Sequence, residues 1–232
     1  MNQSTSLFQT KAKMTAVVLA FFFSGYFGFN HFRLENQEKP ENKTIYRLSP
    51  DEIAKLRNGD IIMRKGEGFV SGIINDLFNT GYNLSHCGIV LTENDSVKII
   101  HTVSSELSKI DGVQTESLNK FVRESVLNTI VVVRYKASEE TGNQIASACK
   151  VYLTPERHKA FDHRFDLADT TKFYCTELIH YAYLDVFNQD MFTERLQSDH
   201  PNFLGLDAFL DTTRFEIILN HQQDNKQSIS LK

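Results

Sequence analysis

Cysteine is scarce in this chain. Its 232 residues carry three, Cys87, Cys149 and Cys175, an odd number with no CxxC spacing. That pattern argues against a disulfide framework and a zinc knuckle. Cys87 and Cys149 sit in apolar runs, where free cysteine usually packs, and a Cys87–Cys149 bridge is the weaker reading. His158, His163 and His180 form no HExxH or paired spacing with which to hold a metal. No metal and no cofactor is therefore expected. No dense basic run follows the first fifteen residues, and the net charge is −4. Nucleic acid, which needs clustered Lys and Arg against phosphate, is not an expected partner. There is no internal repeat and no low-complexity tract. What is present is the composition of one soluble domain, with 41% hydrophobic and 23% charged residues, enough to form a core and to escape disorder.

The start of the chain reads as targeting sequence. Lys11 and Lys13 precede an apolar stretch from Met14 to Phe29. As a helix it would rise about 24 Å at ~1.5 Å per residue, short of a ~30 Å hydrocarbon core. A secretory signal peptide and a short anchor extended through Phe32 both fit, though no clean A-x-A cleavage site appears. Either leaves the lysines cytoplasmic and the domain outside the cytoplasm, periplasmic or extracytoplasmic, with residues 14–29 its point of membrane association. The expected organisation is a signal or anchor over 1–33, a linker over 34–48, a domain over 49–220 and a polar tail over 221–232.

Within the domain, Ser49-Pro50-Asp51-Glu52 is a capping box opening a helix expected to end at Gly59. Asp60 to Arg64 is apolar enough for a strand. Phe69, Val70, Ile73, Ile74, Leu77 and Phe78 keep the helical period. His86–Leu91 and Val97–Val103 predict two strands joined through Thr92-Glu93-Asn94-Asp95. If Leu91 pairs with Ser96, His86 lies opposite His101 on one face, and Cys87 points to the other. Ser117 caps a short helix through Glu124. Thr129–Tyr135 is the clearest strand, and Ser138 caps a helix to about Leu153. Thr154 to Asp169 reads as loop, Tyr174 to Phe187 as a helix, and Phe215 to Leu219 as a last strand. Residues 189–210 have no assigned role.

The chemistry concentrates on Cys175, in Phe173-Tyr174-Cys175-Thr176-Glu177-Leu178-Ile179. A cysteine at the start of a helix meets unpaired N–H groups and the positive end of the dipole, which favour thiolate. His86, heading Ser85-His86-Cys87-Gly88-Ile89-Val90, is a candidate base, and His101 a candidate orienting group. Each has a plainer rival: a packed cysteine, a satisfied strand-end histidine, a surface histidine. Tyr174, Asp162 and Glu177 are second-line candidates for substrate or oxyanion contacts. Tyr174 is as readily packing, and Glu177 a helix N-terminal charge.

Taken in order, these segments resemble the permuted papain-like amidases of the YiiX/YaeF group, relatives of the NlpC-type cell-wall peptidases. The resemblance is carried by Asn58-Gly59-Asp60-Ile61-Ile62, Ser85-His86-Cys87-Gly88-Ile89-Val90 and Tyr174-Cys175-Thr176-Glu177-Leu178, with Phe161-Asp162-His163-Arg164-Phe165 between the last two. It spans about Ser49 to Val186. It implies an α+β, circularly permuted papain-like (NlpC-type) fold, with an antiparallel sheet packed against the cysteine-bearing helix. It also implies Cys175 as nucleophile, His86 as general base and His101 orienting His86, in an amidase or peptidase that forms a thioester. The substrate would be a cell-wall peptide or another amide. The same His, His, Cys order is similar to that of the lecithin:retinol acyltransferase family, so a lipid-directed acyltransferase or thioesterase is the alternative. A non-catalytic binding module is the third reading.

Overall fold

The computed structural model describes residues 45–78, 81–192 and 202–222. The apolar N-terminal segment, most of the expected linker and nearly all of the polar tail lie outside them. Among the described residues no helix is long and apolar enough to cross a membrane.

Helix α1 (Pro50–Ile53) opens on the predicted box. The Ser49 N–H donates to Glu52 Oε2 at 2.7 Å, and the Glu52 N–H donates to Ser49 Oγ at 3.3 Å. The helix stops well before Gly59, because Lys55 and Leu56 switch to i−3 carbonyls, Glu52 and Ile53, and tighten the turn. Strand β1 (Ile61–Arg64) and helix α2 (Phe69–Phe78) follow as expected.

Strands β2 (His86–Glu93) and β3 (Ser96–Val103) form the central hairpin. Its register differs from the expected one by two residues, with Leu91 opposite Lys98 and Glu93 opposite Ser96. The cause is the turn. Asn94 (φ 48°) and Asp95 (φ 58°) both take left-handed backbone, so two residues close the hairpin instead of four. A two-residue slip conserves parity, so His86 and His101 still share a face, as a diagonal rather than a direct pair. Strand β4 (Gly112–Ser117), which the pattern did not suggest, pairs beyond β3.

Helix α3 (Leu118–Arg123), capped by Ser117, leads to strand β5 (Val131–Tyr135) and to helix α4 (Glu139–Val151), capped by Ser138. The segment expected to be loop contains the short strand β6 (Ala160–Phe161), which runs parallel to β7 (Lys172–Phe173). Helix α5 (Cys175–Phe187) and strand β8 (Phe215–Asn220) complete the order, with a 3-10 turn at Leu206–Leu210 between them.

The main sheet is antiparallel throughout, in the order β4-β3-β2-β1-β5-β8. Strand alternation divides the core in two. Ile61, Met63, Cys87, Ile89, Val131 and Val133 face the layer of α4 and α5, against Ile145, Cys149, Leu178, Ile179 and Tyr183. Ile62, Val90, Ile99, Ile130 and Val132 face Tyr46, Leu48, Leu56 and Phe121.

Asn58-Gly59-Asp60 ties the sheet to α4. Gly59 takes φ +82°, and a Cβ there would stand 2.5 Å from the Gly142 carbonyl oxygen, so no side chain fits. Asp60 is fully buried. Arg134 grips it with Nε at 2.7 Å and a second nitrogen at 2.8 Å, and the Arg57 N–H adds a third bond at 2.8 Å. Burial pushes the Asp60 carboxyl up, against the pull of these donors. Arg134→Met should therefore strand a buried carboxylate and cost about 3 kcal/mol. Urea unfolding checks this, and a loss below about 1 kcal/mol would show that the pair does not anchor β5.

Candidate active site

Two gaps in backbone pairing build the site. The Val90 N–H donates to the Asp60 carbonyl at 2.8 Å, and the Gly59 N–H donates to the Val90 carbonyl. Even-numbered residues of β2 thus bond towards β1, and odd-numbered ones towards β3. The β2–β3 ladder ends at Ile89 and Ile100. The N–H of Cys87, one step further, points to the β3 side and has no ladder partner there. It donates instead to the sulfur of Cys175. The second gap is the head of α5, where the N–H groups of Cys175 and Thr176 also point at that sulfur. The sulfur is therefore held between a helix N-terminus and the peptide that links His86 to Cys87.

The hydrogen bond from the Cys87 thiol and the three N–H donors together hold the Cys175 thiol below its ordinary range, against the opposing effect of burial. Cys175 keeps partial exposure, whereas Cys87 and Cys149 are fully buried, and all three are free. The Cys87–Cys149 bridge is not formed.

The structure brings His86 and His101 together. Nε2 of His86 lies 2.9 Å from Nδ1 of His101, so one ring donates and the other accepts. Gly88 makes this approach feasible. A Cβ at that position would meet Ile99 Cγ2 at 2.5 Å and the His101 Cβ at 3.0 Å, and would push β3 away. Both rings rest on Phe121 of α3, at centroid distances of 5.8 and 5.7 Å, and the Arg64 guanidinium lies 4.3 Å from the same ring. Burial depresses both imidazoles, His86 well below the usual range and His101 to about 3, and Arg64 adds to the effect in each. Both are neutral at neutral pH.

The sulfur meets the His86–Cys87 peptide, but the imidazole of His86 is not among its hydrogen-bond partners. Both imidazoles pack on the Phe121 side, whereas the Cys87 side chain faces α5. The sulfur reaches the open edge between β2 and β3 from the α5 side.

The second-line residues serve the frame. The Tyr174 hydroxyl is buried and accepts from the Leu204 N–H at 2.9 Å, tying the segment after residue 201 to the head of α5. Glu177 is fully buried, and its Oε2 accepts from the Tyr174 N–H at 3.2 Å. Burial raises its carboxyl to about 9, and the negative charges of Asp162, Asp169 and Asp166 act in the same direction, so it is a neutral acid that caps the helix. Asp162 accepts from the N–H groups of Arg164 (2.8 Å) and Asp166 (2.7 Å) and folds the loop before β7. His158 bonds the Val113 carbonyl oxygen at 3.1 Å, and His180 packs beside Phe192. The sequence reading missed Phe121 and Arg64, which surround the imidazoles, whereas Cys87 is packed in the core as expected.

These geometries match known proteins in fold. The structure is similar to the crystal structure of the metalloprotein YiiX from Escherichia coli O157:H7, with a TM-score of 0.56 and 18% identity over 72% of this chain and 98% of that one. In this chain, among the described residues, no three His, Cys, Asp or Glu side chains cluster as a metal site. No curated protein matches the sequence. A family model described as a permuted papain-like amidase enzyme, YaeF/YiiX, C92 family, matches residues 55–202. The chain belongs to this family of permuted papain-like amidases, and its antiparallel sheet with the cysteine-bearing helix laid against it is the family's fold.

Proposed function

We propose that the chain is a cysteine amidase or peptidase in which Cys175 is the nucleophile, His86 the general base and His101 the group that orients His86. The observation that carries this reading is the sulfur of Cys175, held at a helix head against the peptide of His86, with the His86 ring bonded to His101. The substrate we propose is a peptide amide of the cell wall, met outside the cytoplasm. The charged and apolar start of the chain supports that location.

The reaction follows from the protonation states. For His86 to accept the thiol proton at Nδ1, its Nε2–H must donate to His101 Nδ1. His101 then carries its own proton on Nε2, which is buried without a hydrogen-bond partner among the described residues. That arrangement costs about 1–3 kcal/mol and is retained for orientation. The sulfur attacks the amide carbonyl as His86 takes its proton. N–H groups at the head of α5 stabilise the developing oxyanion. The imidazolium formed on His86 lies near Arg64 and in a desolvated site, so it is a strong acid and readily protonates the departing amine. Water then attacks the thioester with His86 again as base, which releases the acid and the free thiol.

Intact-mass analysis after incubation with wall peptides and with lipid extract should show a peptidyl adduct on the wild-type chain and none on Cys175→Ala. A fatty-acyl adduct would move the chain to lipid chemistry, and no adduct from either source would favour a binding module. His86→Ala should lower turnover by about a hundredfold to ten-thousandfold.

The pH profile has a definite sign. A base with a depressed pKa stays neutral in more acid solution, so the acid limb of kcat/KM should lie below the ordinary imidazole value of about 6.5. A limb at or above that value would mean that His86 is not the desolvated base.

A further inference from the structure

Large apolar side chains in contact with solvent are ordinary when they are scattered. In this domain they gather. Leu107 (78% exposed), Ile110 (54%) and Leu127 (53%) belong to two loops that the sheet brings to one end. Strand β2 begins at His86, opposite Arg64 at the end of β1. Strand β5 begins at Val131, opposite Met63, and β3 ends at Val103, opposite Gly112 at the start of β4. The β3–β4 loop, with Leu107 and Ile110, and the α3–β5 loop, with Leu127, therefore both lie at the end where His86 stands.

These loops are closed by their own hydrogen bonds. The Leu107 N–H donates to the Ser104 carbonyl at 2.9 Å, the Ser105 N–H to Asp111 Oδ1 at 2.9 Å, and the Gln114 side-chain amide to the Ile110 carbonyl at 2.9 Å. On the other loop the Val126 N–H donates to the Lys65 carbonyl at 2.9 Å, the Thr129 hydroxyl donates to the Val126 carbonyl at 2.7 Å, and Asn128 takes left-handed backbone (φ 58°). Ordered backbone thus leaves the apolar residues outside. Helix α2, which joins β1 to β2 at the same end, extends the surface. Its ten residues carry one charge, Asp76, and Ile73 and Ile74 are half-buried and belong to neither half of the core. The chain also enters the domain here. The Tyr46 hydroxyl bonds His221, just after β8, at 2.5 Å and accepts from the Ile130 N–H, just before β5, at 3.4 Å. The segment before Tyr46, with its apolar run from Met14 to Phe29, is joined to the domain at this end.

We propose that this end of the domain is a membrane-docking surface, with Leu107, Ile110 and Leu127 seated in the interface of a lipid bilayer. An apolar face of this kind sits about 5–10 Å into the boundary between headgroups and acyl chains. The exposed charges around it are of both signs, Lys109 and Arg123 against Glu106 and Glu124, so the contact is apolar and needs no charged partner. The surface stands on sheet register and exposure and does not depend on the chemistry of Cys175.

The chain contains no tryptophan, so a single introduced indole reports alone. The full chain is reconstituted with phosphatidylcholine vesicles whose acyl chains are brominated near the headgroup, and tryptophan emission is compared with that in unbrominated vesicles. Leu107→Trp and Leu127→Trp are set against Val151→Trp. Val151 is 43% exposed and follows Lys150, which bonds Glu93 at the opposite end of β2. The two loop positions should be quenched at least about twofold more than position 151. Ile110→Asp, added to Leu107→Trp, should remove most of that excess, because a carboxylate resists entry into the interface. Equal quenching at all three positions overturns the proposal, as does an absence of quenching at the loops while the chain sediments with the vesicles. Failure to sediment with them overturns it too. A blue shift of the loop indoles that grows with protein concentration without lipid would assign this end to contact between copies, and also overturns it. The readout involves no turnover, so an inactive chain that docks in this way would refute the amidase reading alone.

Discussion

One unpaired backbone group governs the site: the N–H of Cys87. Antiparallel strands alternate the direction of their N–H groups, and β2 keeps that alternation from Val90 down to its first residues. The β3 ladder ends one step short of Cys87, so a buried donor is left facing an opening in the sheet. Leaving it bare would cost about as much as a lost hydrogen bond. The Cys175 sulfur satisfies it, and the sulfur in turn satisfies donors at the head of α5. Two structural deficits, a frayed ladder and the remaining free N–H groups of a helix head, meet at one polarizable atom. These donors hold the Cys175 thiol below its ordinary range.

The same economy explains the imidazole pair. Phe121 and the sheet bury His101 and half-bury His86, which favours neutral rings that bond each other. Arg64, paired with His86 across β1 and β2, adds a positive charge that neither ring can match with one of its own. On the proposed reading of His86 as base, a ring held neutral in this way does not form a resting ion pair with the thiol. What lowers the Cys175 thiol at rest is then a set of neutral donors. In the proposed mechanism His86 acts when the sulfur attacks and when the amine leaves. In that mechanism the low basicity that makes His86 a modest proton acceptor makes its conjugate acid an effective proton donor, and amide cleavage needs both.

Much of this was legible in the residues. Caps at Ser49, Ser117 and Ser138, the apolar period of α2 and the run of β-branched residues in β5 are local signals, and the structure follows them. The shared face of His86 and His101 was legible too, because parity survives any even slip, although the register itself was set by the left-handed tolerance of Asn94 and Asp95. What stayed hidden was non-local. Strand β4, with Gln114, Thr115, Glu116 and Ser117, has too little apolar pattern to announce itself, and it forms because β3 offers a free edge. Phe121 and Arg64 lie near the imidazoles only once α3 folds back onto the sheet. Glu177 reads as a solvated helix charge, and only the layer of Tyr174, Asp162 and the segment at Leu204 encloses it and turns it into a neutral acid. Cys87 was legible as core, because in a strand the neighbour of an outward residue points the other way.

Chain order matters less here than sheet edges. The histidines come first and the cysteine nearly ninety residues later, yet the meeting point needs only a hairpin with an open end and a helix that starts there. Any connection that lets α5 lie on the α4 side of the sheet, with its N-terminus at that opening, yields the same contacts. The constraint falls on the few residues that set the opening. Gly88 lets β3 come close enough for the two rings to bond, the Asn94-Asp95 turn sets which β3 residue stands beside it, and the Asp60–Arg134 pair holds β1 and β5 in place behind. A change at any of these would displace the imidazole relative to the sulfur without touching either. The family's permuted order is therefore tolerated for a physical reason: the reacting groups are registered through the sheet, and the sheet does not record which segment was made first.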